Sequence, residues 1–183
     1  MTASQSRYIA LLRAINVGGH SVTRMSDLRA IFESLVLTEV VTYIQSGNVL
    51  FDSKDGDPEH LARLVEKKLE SALGYQVPVF LFTRGQLEDA AAHNPFDPDR
   101  REKEQHCHLM FLSREPDTAH RAALMTLEGD EYSFSIHGKV LYYAYSREAA
   151  GSGRRAINFE KVLGVTGTAR TWKVVNKLIE QSR

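Results

Sequence analysis

One cysteine, no net charge and no long apolar run are the first features of this sequence. Cys107 has no second cysteine with which to form an internal disulfide, which is typical of proteins in a reducing compartment. No apolar run approaches the ~18 residues of a membrane span, and the first residues have no signal-peptide core. The sequence therefore predicts a soluble, cytoplasmic protein without a membrane partner.

The zero net charge conceals an uneven distribution of charge along the chain. Of the 23 basic and 23 acidic side chains, 9 basic and 3 acidic ones lie in residues 137–183. This basic surplus favours an anionic partner such as a phosphate, a nucleotide or a nucleic acid. A solvated basic surface explains the same pattern without any partner. The overall pI of about 7.1 is far from that of dedicated nucleic-acid binders.

The first half of the chain predicts the element order βαββαβ. An apolar run at residues 7–13 indicates a buried strand, and apolar residues at helical spacing from Met25 indicate an amphipathic helix. Two β-rich runs on either side of residues 46–48 are typical of a hairpin. A helix that begins at Pro58 and a strand at residues 77–82 complete a ferredoxin-like, or split βαβ, unit.

The second half repeats this order in part. Its patterns predict βαββ followed by two helical segments, at residues 106–112, 116–127, 132–136, 139–145, 157–163 and 171–179. We therefore predict the α+β class, with a ferredoxin-like unit followed by a second, similar half. The predicted domains are residues 1–93 and residues 94–183, the second of which carries the basic C-terminal helices.

Topology brings polar loops to one end of the first predicted sheet. A right-handed βαβ connection makes the first two strands parallel, so the loops that leave them lie at the same end. Those loops, residues 16–20 and 46–48, carry amide side chains, hydroxyls and glycines. The first loop also precedes a helix, whose N–H groups and positive dipole end attract anions. Arg13 ends the first strand beside them.

The glycine pair Gly18-Gly19 in the first loop is a weak signal by itself. It matches neither of the common nucleotide-binding fingerprints. Glycine at a strand-to-helix turn also supplies positive φ or close packing without any ligand.

Three strings of residues resemble the bacterial domain of unknown function 1697 family. They are Tyr-Ile-Ala-Leu-Leu-Arg-Ala-Ile-Asn-Val-Gly-Gly at residues 8–19, Thr-Tyr-Ile-Gln-Ser-Gly-Asn-Val at residues 42–49, and Arg170-Thr171-Trp172 with Lys177-Leu178. The resemblance covers nearly the whole chain. It implies two small α+β subdomains, and it brings no established activity.

The chain departs from the family pattern at three places. Ala14 stands where the family usually has glycine, so we expect no glycine-only conformation there. Thr171 and Lys173 stand at positions of family asparagines, so any ligand of those amides would be bound differently here. Arg154 and Arg155 replace a Ser-Lys pair, which keeps positive charge and changes its geometry.

Catalytic and metal-binding chemistry finds little support in the sequence. His106 and His108 share one face of a strand, but two histidines are too few for a structural zinc site. Ser46, imagined as a nucleophile beside His20, lacks a nucleophile elbow and a carboxylate to orient the histidine. We therefore predict no metal, no cofactor and no catalytic residue. The sequence does not decide whether the protein is an enzyme, although the patterns above favour a protein without enzyme activity.

Three functions are compatible with these patterns. The favoured one is a small-molecule or anion-binding module, for a phosphate-type ligand, with its pocket at the glycine loop. The second is a nucleic-acid-associated protein that uses the basic C-terminal region and the tyrosines of residues 141–145 for weak, salt-sensitive binding. The third is an enzyme that acts on a phosphorylated metabolite at the same pocket.

The candidate ligand-binding residues come from both halves of the chain. They are Arg13, Asn16, Gly18, Gly19, Gln45, Ser46, Asn48, Arg170 and Trp172. We predict that residues 167–172 form a second small-residue loop that opens a helix, and that both arginines serve one anion-binding pocket. In the alternative, Arg170 and Trp172 only attach the last helix to the body of the protein.

Overall fold

Two compact units make up the chain. The computed structural model describes residues 5–16, 22–96, 105–146 and 157–183. Unit 1 comprises residues 1–88 together with 177–183, and unit 2 comprises residues 89–176. The domain boundary expected between residues 93 and 94 stays a prediction. None of the helices within the described ranges is both long and apolar enough to span a membrane.

Unit 1 is a four-stranded antiparallel sheet with two helices inserted between its strands. The elements are β1 (Ser6–Leu12), α1 (Met25–Glu33), β2 (Thr38–Tyr43), β3 (Asn48–Ser53), α2 (Pro58–Leu73) and β4 (Val79–Thr83), followed by α3 (Arg84–Ala92). The strands lie in the order β2-β3-β1-β4, and each adjacent pair is antiparallel. Because both β1 and β2 run antiparallel to β3, they end at the same edge of the sheet, as the sequence predicts.

Local sequence signals fix the ends of helix α2. The side chain of Asp57 accepts hydrogen bonds from the backbone N–H groups of Glu59 at 2.9 Å and His60 at 3.1 Å. Pro58 occupies the first turn, where its missing N–H is tolerated, and Gly74 ends the helix with a φ of 80°. The helix therefore begins at the residue that the sequence predicts.

One face of the unit 1 sheet packs against α1 and α2. Tyr8, Ala10 and Leu12 alternate along β1 and are buried in one cluster with residues of α1 and α2. Burying one large apolar side chain stabilises the fold by about 1.5–3 kcal/mol. The helical members of the cluster that are buried are Leu28, Phe32, Leu61, Val65 and Leu69.

Unit 2 has the same topology as unit 1. Its elements are β5 (Gln105–Leu112), α4 (Thr118–Met125), β6 (Tyr132–His137), β7 (Val140–Ser146), α5 (Phe159–Leu163) and β8 (Gly167–Thr171), and α6 (Trp172–Gln181) follows. The strand order β6-β7-β5-β8 repeats that of unit 1, again with antiparallel neighbours. The predicted α+β class, a βαββαβ unit followed by a second, similar half, is confirmed.

Strand β8 corrects the prediction of a loop at residues 167–172. Arg170 pairs with Leu109 and Ala169 pairs with Met110, so this segment is the fourth strand of the second sheet. The string Gly-Thr-Ala-Arg-Thr contains no valine, isoleucine or aromatic residue, which is why its composition does not indicate a strand. Pairing with β5 determines its conformation instead.

The two units repeat each other down to single hydrogen bonds. The Leu12 N–H donates to the carbonyl of Gly47 at 2.8 Å, and the Leu112 N–H donates to the carbonyl of Lys139 at 2.8 Å. In both cases the last residue of the first strand bonds to the hairpin between the second and third strands. The unit 2 hairpin is thus the structural counterpart of the unit 1 hairpin.

We predict that Gly47→Ala destabilises the protein by about 2–4 kcal/mol. Gly47 has a φ of 77°, and an added Cβ would overlap the Ile15 side chain and lie 2.9 Å from the Leu12 Cβ. Urea unfolding followed by circular dichroism measures the change. The control is Gly56→Ala, because no atom lies within 4 Å of its added Cβ. Equal stabilities of the two variants would contradict the close approach at Gly47.

Candidate functional site

The chain leaves β1 through a turn with unusual backbone angles. Ala14 has a φ of 58° and Asn16 a φ of 59°, in the left-handed region that favours glycine. The expectation that Ala14 avoids a glycine-type conformation is wrong. Alanine occupies this region at a cost of about 1–2 kcal/mol, so the glycine that the family pattern has at this position fits the backbone better.

The side chain of Asn16 connects three segments of unit 1. Its Nδ2 donates hydrogen bonds to the carbonyl of Thr23 at 3.1 Å and to the carbonyl of Gln45 at 3.0 Å. Its Oδ1 accepts a hydrogen bond from the Thr23 N–H at 2.7 Å. The end of β1, the start of α1 and the β2–β3 hairpin therefore meet at one residue. We call residues 13–16, 22–26 and 44–47 the Asn16 junction.

The predicted contact between the β1 loop and the β2–β3 hairpin is confirmed at Asn16 and Gln45. Gly18 and Gly19, which the sequence placed in the same site, lie outside the described residues, and so does His20. The amide of Asn16 is occupied by backbone groups. Its geometric role is therefore to position the segments around it.

The hairpin holds its own polar side chains. Asn48 is fully buried, and its Nδ2 donates to the carbonyl of Tyr43 at 3.0 Å and to the Ser46 hydroxyl at 3.1 Å. Asn48 thus closes the turn from inside, whereas the side chain of Gln45 is exposed at its tip. Ser46 is exposed and accepts from Asn48, which is the behaviour of a turn residue.

Two arginines belong to the Asn16 junction. Arg13 is half-buried at the end of β1, and its backbone N–H donates to the carbonyl of Pro78 at 2.9 Å. Arg24 is exposed and occupies the N-cap of α1, where it makes no side-chain cap hydrogen bond. Its carbonyl accepts hydrogen bonds from the N–H groups of Asp27 and Leu28. The N–H groups of Met25 and Ser26 precede these bonds and have no acceptor within the helix.

The remaining candidates, Arg170 and Trp172, belong to unit 2. Arg170 is only 5% exposed, and its Nη1 donates to the Thr168 hydroxyl and to the Ala169 carbonyl, both at 2.8 Å. Burial lowers the pKa of Arg170 to about 10. Trp172 is half-buried as the first residue of α6. A pocket shared by Arg170 and Arg13 stays a prediction.

A cluster of aromatic residues at one end of the unit 2 sheet was not among the candidates. His106, Tyr145 and Tyr132 are cross-strand partners on β5, β7 and β6, and we call them the aromatic row. His108 and Tyr143 form the next row, with ring centroids 4.9 Å apart and an interplanar angle of 7°. The alternation His-x-His and Tyr-x-Tyr on two neighbouring strands is the sequence signal that indicates this cluster.

Burial sets the protonation of the second row. It lowers the pKa of His108 below its ordinary value near 6.5, so the imidazole is neutral at pH 7. Burial also raises the pKa of Tyr143. Both rings are therefore uncharged under physiological conditions and stack as neutral aromatic groups.

A second cleft and the acidic, histidine and cysteine side chains offer weaker candidates for a binding site. A cleft of about 180 Å³ in unit 1 is lined by Glu66, Glu70, Gln76, Val77 and Pro78, and it contains none of the predicted site residues. Its two carboxylates disfavour an anion. Across the ranges that the structure describes, no group of three or more His, Cys, Asp or Glu side chains is placed to hold a metal ion.

Comparison with known proteins identifies the family. The model of the family "Protein of unknown function (DUF1697)" matches residues 5–142, more than half of the chain. The chain belongs to this family. The resemblance stated from the sequence is thus confirmed, and the Asn16 junction lies inside the part of the chain that matches DUF1697.

A solved structure shares the fold of this DUF1697 member. It is that of a conserved bacterial protein from Streptococcus pneumoniae, with a TM-score of 0.70 and 22% sequence identity. The similarity covers 98% of this chain and 100% of the other. At this identity the likeness shows the fold alone. No match is found among curated proteins.

We predict that Asn16→Gly lowers the free energy of unfolding by about 1–3 kcal/mol, because it removes three hydrogen bonds and leaves Thr23 and Gln45 without their partner. Glycine accepts the local φ, so the loss reports the side chain alone. Ala14→Gly is the matched control, since the same φ then becomes more favourable and stability is expected to rise. Urea unfolding gives both values, and an unchanged stability of Asn16→Gly would contradict the proposed role of the amide.

We also predict a loss of stability as the pH falls below about 6.5, to which His108 contributes. The unfolded chain binds a proton at the ordinary pKa, whereas the folded chain binds it only at lower pH, so acid favours unfolding. His108→Phe should make the stability change between pH 7.5 and 5.5 smaller. Tyr143→Phe is the control, because it keeps the histidine. A pH dependence of His108→Phe equal to that of the parent would contradict this assignment.

Proposed function

We propose that the protein is a binding module for a small anionic molecule of the phosphate type, which binds at the Asn16 junction. The observation that carries the proposal is the meeting of three segments at one amide side chain. Asn16 holds the end of β1, the start of α1 and the hairpin tip together. This arrangement brings Arg13, Arg24 and the open end of a helix into one part of unit 1.

The two units supply an internal comparison. Helices α1 and α4 each follow the first strand of their unit. At α4, the side chain of Asp117 caps the helix by accepting a hydrogen bond from the His120 N–H at 2.9 Å, and this bond lowers the pKa of Asp117. At α1 the equivalent residue is Arg24, a cation. Unit 2 thus provides its own carboxylate at a position where unit 1 has positive charge, which supports an external anion in unit 1.

The groups that would contact the anion are the hydrogen-bond donors that belong to the junction. The backbone N–H groups of Met25 and Ser26, the guanidinium groups of Arg13 and Arg24, and the exposed amide of Gln45 are the donors of this region. Asp27 in the first turn of α1 opposes an anion, so we expect modest affinity. In this proposal Asn16 and Asn48 are positioning residues.

Binding is favoured over turnover at this site. The described residues of the junction are 13–16, 22–26 and 44–47, and they include no carboxylate, histidine, lysine or cysteine. General acid–base catalysis uses such a group near neutral pH. A cytoplasmic location is part of the proposal, in keeping with the single cysteine.

We predict that an anion at ten times its Kd raises the thermal midpoint by about 3–6 °C. Phosphate, sulfate, AMP and glucose 6-phosphate form the panel. Arg13→Ala is expected to lose most of this stabilisation, because the guanidinium grips oxyanions bidentately. Arg24→Asp should lose it as well, since a carboxylate N-cap competes with the anion and also supports the helix.

The control for this experiment is Arg63→Ala, which removes an exposed arginine of α2 outside the junction. It should respond to the anion as the parent does. Absence of stabilisation by every anion of the panel would reject the proposal. Stabilisation that survives in both Arg13→Ala and Arg24→Asp would place the anion elsewhere on the protein.

A further inference from the structure

We propose a second binding site, at the aromatic row of unit 2, whose ligand is a nucleobase. The row consists of His106, Tyr145 and Tyr132 at one end of the β6-β7-β5 part of the sheet. The site is separate from the Asn16 junction, and the inference does not rest on the function proposed there. It rests on the orientation, exposure and polar groups of the aromatic side chains.

Three rings of the cluster, one of which is Tyr145 of the row, are nearly parallel in the protein itself. The planes of His108, Tyr143 and Tyr145 lie within 16° of one another, with centroids 4.9–6.3 Å apart. Offset stacks of this kind hold each ring in a fixed plane. A planar ligand that continues the stack therefore meets an ordered surface, which lowers the entropy lost on binding.

Tyr145 joins this stack to the row, whose other rings, His106 and Tyr132, are tilted by 37° and 38° against it. Phe159, at the start of α5, packs against Tyr143 with a centroid distance of 4.6 Å, so the inner row is covered by a helix. His106 is exposed, and its ring lies 5.2 Å from that of Tyr145. Tyr145 and Tyr132 are half-buried. One aromatic surface thus remains accessible beside a covered one.

Polar groups at the row distinguish a nucleobase from a purely apolar ligand. The row carries the hydroxyls of Tyr132 and Tyr145 and the ring nitrogens of the exposed His106. These donors and acceptors beside aromatic faces match a flat heterocycle that carries ring nitrogens and exocyclic groups.

Nucleobases reach a protein from two sources, a free nucleoside or nucleotide and a single-stranded nucleic acid. Both offer the same stacking surface, and every base has one. The experiment therefore includes both. Nucleosides are the decisive probes, because they carry no phosphate and cannot report binding at the Asn16 junction.

The test is a titration of the full chain, labelled with ¹⁵N, with adenosine and with uridine, followed by NMR. We expect the amide signals of His106, Tyr132 and Tyr145 to shift, while ribose alone leaves them in place. Stacking on an aromatic side chain contributes about fivefold or more to affinity per base. Both Tyr145→Ala and His106→Ala should therefore weaken nucleoside binding by at least about fivefold.

Three variants keep the result interpretable if Tyr145→Ala fails to fold. His106 is exposed, so His106→Ala tests the same row with little risk to the fold. Tyr145→Phe keeps the ring and should retain affinity within about twofold if stacking is the dominant interaction. His137→Ala removes an exposed histidine at the other end of β6 and should bind nucleosides as the parent does.

The measured affinities distinguish a free nucleoside from a single-stranded nucleic acid, and they also test the proposal itself. An oligothymidine that binds at least tenfold more tightly than the nucleosides, with a steep dependence on salt, identifies single-stranded nucleic acid as the source. Equal affinities identify a free nucleoside or nucleotide. The proposal is overturned if neither nucleoside shifts the row, if ribose shifts it equally, or if His106→Ala and Tyr145→Ala both bind as the parent does.

Discussion

The side-chain amide of Asn16 is the interaction on which the arrangement of unit 1 at its candidate site depends. Three hydrogen bonds of 2.7–3.1 Å tie it to Thr23 and Gln45, two backbone segments far apart in sequence. The residue adopts a left-handed conformation to make them, next to a second left-handed residue, Ala14. Strain of this kind persists only where surrounding contacts hold it, and it concentrates at functional sites.

The two units share one arrangement of strands and helices but carry different side chains at the ends of their sheets. Both units place the end of their first strand against a hairpin through the same hydrogen bond. Unit 1 has arginines and an open helix end at that position, whereas unit 2 has the Asp117 cap. At the opposite end of its sheet, unit 2 carries the aromatic row. A repeated frame thus allows two binding chemistries in one chain, because function resides in the side chains at its ends.

Most of the fold follows from the sequence because its signals are local. The hairpin residues 46–48, the Asp57-Pro58 helix start and the apolar run along β1 each specify an element without reference to the rest of the chain. Strand β8 could not be predicted in this way, because its sequence has no strand signal of its own. Arg170 is buried only because the strand pairs with β5. The meeting of the β1 loop and the hairpin follows from topology, but the bonds of Asn16 depend on backbone angles that no periodicity reports.

The most direct test of the central claim is the effect of inorganic phosphate on the backbone amides of the ¹⁵N-labelled protein. If the Asn16 junction binds anions, the amide signals of Met25, Ser26 and Gln45 shift together with one saturation curve. The same addition leaves signals of α2 and of the unit 2 sheet in place. Shifts confined to residues outside the junction, or no saturable shift at all, would contradict the account.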